Sequence, residues 1–165
     1  MSRFALPVWV FSVVLSVAAV LVAGPAAPAF AAAPAFAAAP AFAAAPASAA
    51  ARLMAAAEAQ RGKPYRRGAQ GPDVFDCSGL TTYVFRSVHI ALPRTANAQF
   101  HAAHPVSRTA ARPGDLVFWV HGQHSYHVGV YAGGGQVWHA PKPGDRVRLA
   151  KIWSWREVRF GRVTA

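Results

Sequence analysis

From Pro25 to Ala50 the chain repeats the unit Ala-Ala-Ala-Pro-Ala-Phe, with the last copy ending in Ser48. A proline in every unit interrupts helix, and isolated phenylalanines are the only large side chains, so this stretch cannot build a core. A solenoid would need longer repeats with their own turn residues and more apolar bulk. Residues 32–50 are therefore read as a spacer, which confines the fold to residues 51–165, enough for a single domain with one core. Ahead of the repeat, Met1-Ser2-Arg3 gives a basic start, and Phe4 to Val22 is an apolar run broken only by Pro7, Ser12 and Ser16. Residues 1–31 read as a secretory signal. The small-residue cleavage rule is met at Ala29-Phe30-Ala31, again at Ala35-Phe36-Ala37, and again at Ala41-Phe42-Ala43. An uncleaved membrane anchor through residues 4–22 is the alternative.

Charge narrows the partners. The chain carries 17 Lys and Arg against 6 Asp and Glu, a formal net charge of +11. For an exported chain, the anionic partners are cell-wall polymers or membrane surfaces, with nucleic acid as the competing reading. No recognition helix, zinc finger or aromatic-basic RNA motif is present, and the basic residues are spread along the chain, so no nucleic-acid partner is expected. A monomer is expected, with membrane contact only through the N-terminal segment if it stays uncleaved.

Cys77 is the only cysteine. It has no internal disulfide partner, so in an exported protein it is a free thiol. Its setting, Phe75-Asp76-Cys77-Ser78-Gly79-Leu80, is polar and tightly turned, unlike the apolar bed of a structural cysteine. Apolar positions at Leu80, Val84 and Val88 predict a helix that starts at Cys77. Unpaired N–H groups and the positive end of the helix dipole there are expected to lower the thiol pKa.

The other elements follow in order. Ala51–Arg61 predicts a short helix stopped by Gly62. A glycine-punctuated loop from Arg66 to Asp73 follows Tyr65, whose hydroxyl could be core filler or a donor at the site. Leu92-Pro93-Arg94-Thr95 is a break, with Thr95 capping a helix over Ala96–Ala103. His89, His101 and His104 are read as surface or packing residues. Leu116–Val120 predicts a buried strand, and His121–Tyr126 a polar loop. His127–Tyr131 and Gln136–Ala140 predict a hairpin. Arg146–Ile152 and Glu157–Val163 alternate like half-exposed strands. Helices first, then an antiparallel sheet of about five strands, make an α+β fold.

Hairpin parity decides whether two histidines can cooperate. If Tyr131 pairs with Gly135 across a three-residue loop, His127 pairs with His139 and both rings share a face. A two-residue turn would put them on opposite faces, so the odd loop is expected.

Amide cleavage by cysteine needs a thiolate, a histidine that holds and returns the proton, and a group that orients the imidazole. Cys77 is the candidate nucleophile, His127 the base and His139 the orienting residue. The N–H of Cys77 and its helix neighbours would receive the oxyanion, with Tyr65 as a further donor.

Six segments in order, Gly62-Lys63-Pro64-Tyr65, Asp76-Cys77-Ser78-Gly79-Leu80, Leu92-Pro93-Arg94-Thr95, Pro113-Gly114-Asp115-Leu116-Val117-Phe118, His127-Val128-Gly129-Val130-Tyr131 and His139-Ala140-Pro141, resemble the signature of the NlpC/P60 family, bacterial cell-wall cysteine peptidases with a papain-like core. The resemblance covers nearly all of residues 51–165. It implies a Cys-His-His triad of Cys77, His127 and His139, with Tyr65 matching an active-site tyrosine, and no cofactor. It also implies hydrolysis of peptidoglycan stem peptides between D-γ-glutamyl and diaminopimelate or lysine. Asp76 and Ser78 match positions that bind the free amine of an N-terminal L-alanine in relatives. Arg66-Arg67 departs from the aromatic and glycine that many members carry there. The implied location is secreted or cell wall.

Three rivals stay open. His121, His124 and His127, with Cys77 as a fourth ligand, suggest zinc, although a loop running into a strand does not converge them. A catalytically silent wall-binding module would keep the fold without turnover. An amidase or acyltransferase would use the same triad with a different groove.

Overall fold

The computed structural model describes residues 48–164; the signal and most of the spacer lie outside them. Helix α1 spans Ala49–Glu58, and the Ser48 hydroxyl caps it by accepting from the Ala51 N–H. It starts two residues before the expected Ala51, because Ser48 supplies a cap that the alanine-rich context conceals. Helix α2 spans Cys77–Arg86 with Asp76 as N-cap, and α3 spans Ala96–Ala102 with Thr95 as N-cap. The Thr95 cap stands where the sequence puts it, and the Asp76 cap emerges from the structure. None of the described helices is long and apolar enough to cross a membrane.

Six strands follow: β1 His104–Val106, β2 Leu116–His121, β3 His124–Gly133, β4 Gln136–His139, β5 Arg148–Lys151 and β6 Val158–Arg162. They form one antiparallel sheet in the order β1-β6-β2-β3-β4-β5. The fold is α+β, as expected, with six strands instead of about five. The extra strand is β1, three residues with Pro105 in the middle, and an edge position against β6 is where a proline is tolerated.

Strand β2 is buried along Leu116–Val120 because both faces of the sheet are covered. Leu116 and Phe118 pack with Leu80, Val84 and Phe85 of α2, while Val117 and Trp119 pack on the other side with Val137, Ile152 and Phe160. A strand covered on both faces reads as a continuous apolar run without alternation. Each large side chain fully buried in this way stabilises the fold by about 1.5–3 kcal/mol.

The β3–β4 hairpin departs from expectation in register. Gly133 pairs with Gln136 across a two-residue turn, Gly134-Gly135, and Tyr131 then pairs with Val137, which leaves Ala132 as a bulge. The bulge adds one residue to β3 and restores the parity that the even turn would have lost. His139 therefore falls opposite Gly129, two residues along from the expected His127, and the two histidines still share a face. The close approach at Gly129 is tight: a Cβ there would stand 2.7 Å from the Trp138 carbonyl oxygen and 3.1 Å from the His139 Cβ.

Arginines form ion pairs with four of the six acidic residues, and a fifth contacts a histidine. Glu58 meets Arg61, Asp76 meets Arg94, Asp115 meets Arg162, Asp145 meets Arg148, and Glu157 contacts His121.

Candidate active site

Cys77 is the first residue of α2 and is partly exposed. Its position is held from Asp76 outward. The Asp76 Oδ1 accepts from the Gly79 N–H at 2.7 Å and from the Ser78 hydroxyl at 3.3 Å, and Oδ2 accepts from the Gly68 N–H at 2.9 Å. Arg94 forks onto both carboxylate oxygens, and its Nη1 also donates to the Ser78 hydroxyl at 2.9 Å. Five donor contacts exhaust the roughly four lone-pair sites of a carboxylate. The turn before the helix is pressed equally hard, since a Cβ on Gly79 would lie 2.0 Å from the Ala69 carbonyl oxygen.

Behind this turn, buried Gln99 of α3 ties the helix down. Its Oε1 accepts from the Thr81 hydroxyl at 2.7 Å, and its Nε2 lies 3.1 Å from the Ser78 carbonyl and 2.8 Å from the Pro93 carbonyl. Sequence reasoning gave no role to Arg94 or Gln99. Arg94 sits in one of the quoted motifs, but its partner is eighteen residues away, and only the fold brings them together.

The thiol corrects one expectation. Burial pushes the Cys77 pKa up, and the Asp76 carboxylate adds to the rise. The backbone N–H groups of Ser78, Val128 and Cys77 itself pull it back without reversing it. Desolvation of a charged sulfur outweighs the helix N-terminus here. The Val128 amide also places the sulfur beside the residue that follows His127.

The two histidines meet across the hairpin, with His127 Nε2 3.0 Å from His139 Nδ1. Both are buried, at 7% and 2% exposure. Burial first, and the His139 ring second, lower the His127 pKa to about 3. Burial first, then Arg148, lower His139 to about 4, against a smaller upward pull from Asp145. At neutral pH both imidazoles are uncharged and the thiol keeps its proton. If His127 Nε2 donates to His139 Nδ1, the His127 Nδ1 is left with a free lone pair and can take a proton. That tautomer places a proton on His139 Nε2, which is buried with no partner among the described residues.

Two cavities flank Tyr126. One of about 620 Å³ is lined by Tyr65, Asp76, Cys77 and Ser78, and the other of about 510 Å³ by His127, His139 and Trp153. Burial, and then the nearby Cys77 and Asp76, raise the Tyr65 pKa, so its hydroxyl keeps its proton. The structure thus brings Tyr65, Asp76, Cys77 and Ser78 to one cavity and His127 and His139 to its neighbour. His121 and His124 stand apart: they pair at the β2–β3 turn, and His121 Nε2 lies 3.4 Å from Glu157. Among the described residues, no three His, Cys, Asp or Glu side chains converge as a metal site.

The NlpC/P60 family model matches residues 62–160. The probable endopeptidase p60 of Listeria seeligeri is 45% identical over 104 residues, which covers 62% of this chain and 20% of that protein. The match spans about a fifth of the length of the Listeria p60 proteins. The NlpC/p60 domain of the peptidoglycan hydrolase SagA has a TM-score of 0.63 at 35% identity and covers 70% of this chain and 98% of that one. RipD of Mycobacterium tuberculosis, a non-catalytic NlpC/p60 domain protein adapted to peptidoglycan binding, has a TM-score of 0.61 at 25% identity and covers 72% and 99%.

Proposed function

The chain belongs to the NlpC/P60 family, and on that premise we propose that it is an exported cysteine endopeptidase of peptidoglycan stem peptides, cutting the D-γ-glutamyl–diaminopimelate bond. The observation that carries this reading is the 3.0 Å contact between His127 and His139, with the Cys77 sulfur, at the start of a helix, held by the amide of Val128 next along from His127.

In this mechanism His127 Nδ1 takes the Cys77 proton as the sulfur attacks the carbonyl carbon, so charge appears only in the loaded site. A neutral resting pair with a raised thiol pKa and a lowered imidazole pKa suits a late transfer of this kind. The carbonyl oxygen becomes an oxyanion facing the Cys77 N–H and the Tyr65 hydroxyl. As the C–N bond breaks, the imidazolium returns its proton to the leaving amine and a thioester remains. Water then attacks the thioester, giving its proton to His127, and the sulfur leaves to recover it. His139 keeps the His127 ring and tautomer in place and takes no part in the proton transfers.

Asp76 and Ser78 act here first as positioning residues for Cys77. Gripping a free substrate amine, the role the resemblance implies for them, requires Arg94 to release part of the Asp76 carboxylate. Export rests on residues 1–31, read as a secretory signal.

Incubation of the chain with purified peptidoglycan, followed by mass analysis of released fragments, tests this reading beside a Cys77→Ala control. New amines on diaminopimelate that vanish in the control are the expected result. Binding without release by either protein would assign the chain to the silent, wall-binding kind. Retention of cysteine and both histidines favours turnover over that reading.

A further inference from the structure

We propose that the 510 Å³ cavity beside the histidine pair is a leaving-group subsite that selects an amine component carrying free carboxylates, with Arg148 and Lys142 as specificity-determining residues. This rests on the cysteine-peptidase reading and gives the leaving side of the cleft a chemistry.

The assignment of sides comes from the reaction. The acyl part of the substrate becomes bonded to sulfur and stays with the Cys77 cavity, whereas the amine part leaves with a proton from His127. The cavity that contains His127 but not Cys77 is therefore the one the amine part occupies.

Its composition follows from strand pairing. His139 and Arg148 are direct partners across β4 and β5, so their side chains leave the sheet on the same face. Arg148 lies close enough to lower the His139 pKa. The turn between these strands adds Lys142 and Asp145, and Lys151 completes the lining at the far end of β5. Trp153 makes an apolar wall, its ring 5.1 Å from His139 and 4.1 Å from Trp119, on which it stacks. Three cations thus face one carboxylate, and that carboxylate is paired with Arg148 at 2.7 Å. A cation-rich pocket with one acid fits a zwitterionic amino-acid end: carboxylates to Arg148 and the lysines, ammonium to Asp145. Lysine as leaving amine would offer the ammonium without the second carboxylate. The other cavity has a different polarity, because its carboxylate, Asp76, is fully occupied within the fold.

The test separates recognition from hydrolysis. The chain labelled with ¹⁵N is titrated with free diaminopimelate, with its carboxyl-amidated form and with lysine, and the Trp153 indole N–H signal is followed. The expected result is a saturable shift with diaminopimelate, with affinity roughly tenfold weaker for lysine or the amidated form. Arg148→Gln should weaken diaminopimelate by a similar factor. Lys142→Gln, on an exposed turn, should do so more mildly without risk to the fold. In parallel, cleavage of stem peptides with free or amidated diaminopimelate is compared, and both variants should lower the preference for the free form. No Trp153 shift, or equal shifts with all three ligands, would overturn the subsite. Failure to cut any stem peptide while Trp153 still reports selective binding would overturn the endopeptidase reading alone.

Discussion

The two halves of the site are built by opposite means. On the cysteine side, polar contacts over-determine the geometry: Asp76 holds two backbone N–H groups, a hydroxyl and a guanidinium, and Gln99 braces the helix from behind. On the histidine side, a single 3.0 Å contact joins the rings, and one ring nitrogen has no partner among the described residues. That side is aligned by strand register and by the stack of Trp119 on Trp153. A nucleophile must be fixed relative to the carbonyl, and a network does that. A base must gain and lose a proton, and a ring held by a single hydrogen bond can do so without rebuilding a hydrogen-bond shell.

Acid should expose this difference most strongly. The unfolded chain binds protons on His127 and His139 below about pH 6.5, whereas the folded values are about 3 and about 4. The unfolded state therefore holds more protons between these limits, and stability falls as pH drops through that window. The loss is on the order of 2 kcal/mol for each imidazole by pH 5, read from urea melts at pH 7.5 and pH 5. A His139→Asn variant should lose about half of that dependence, and an unchanged dependence would contradict the burial of His139 as a neutral ring.

Gly79→Ala attacks the cysteine side directly. The added methyl meets a backbone oxygen, so the helix start must move, at a cost of about 3 kcal/mol in denaturant stability and with near-complete loss of turnover. Wild-type stability in this variant would mean that the turn is softer than its contacts imply.

His139→Ala should lower kcat roughly a hundredfold by releasing the His127 ring. His139→Asn keeps an oxygen that can accept from His127 Nε2 and should retain most of that factor. Equal losses in both variants would show that packing, not orientation, is what His139 provides.

Arg94→Ala should cost about 2 kcal/mol by leaving Asp76 without its cation. Arg94→Lys should recover only part, because an ammonium cannot fork onto two oxygens. Full recovery would reduce the network to simple charge balance.

The helix start at Ala96 was legible because Thr95 is a local signal, the one at Cys77 from the spacing of Leu80, Val84 and Val88, and the buried run from Leu116 from its continuous apolar character. The shared face of His127 and His139 was reached by the wrong route, since a bulge at Ala132 leaves no mark in residue type. The strand around Pro105 was missed because its pairing partner lies more than fifty residues away. The direction of the thiol shift was misread for a related reason: the helix N-terminus is visible in sequence, whereas the depth of burial is a property of the assembled fold.

The ion pairs described for the fold bear on how such a molecule moves. With Glu58, Asp76, Asp115 and Asp145 each already facing an arginine, the excess of basic groups has little internal to neutralise it. Mobile anions must do so in solution, and contact with a polyanion sets those ions free, an entropy gain that shrinks as salt rises. The chain would then travel through an anionic mesh by short releases and recaptures, and ionic strength would set its range before any bond is cut.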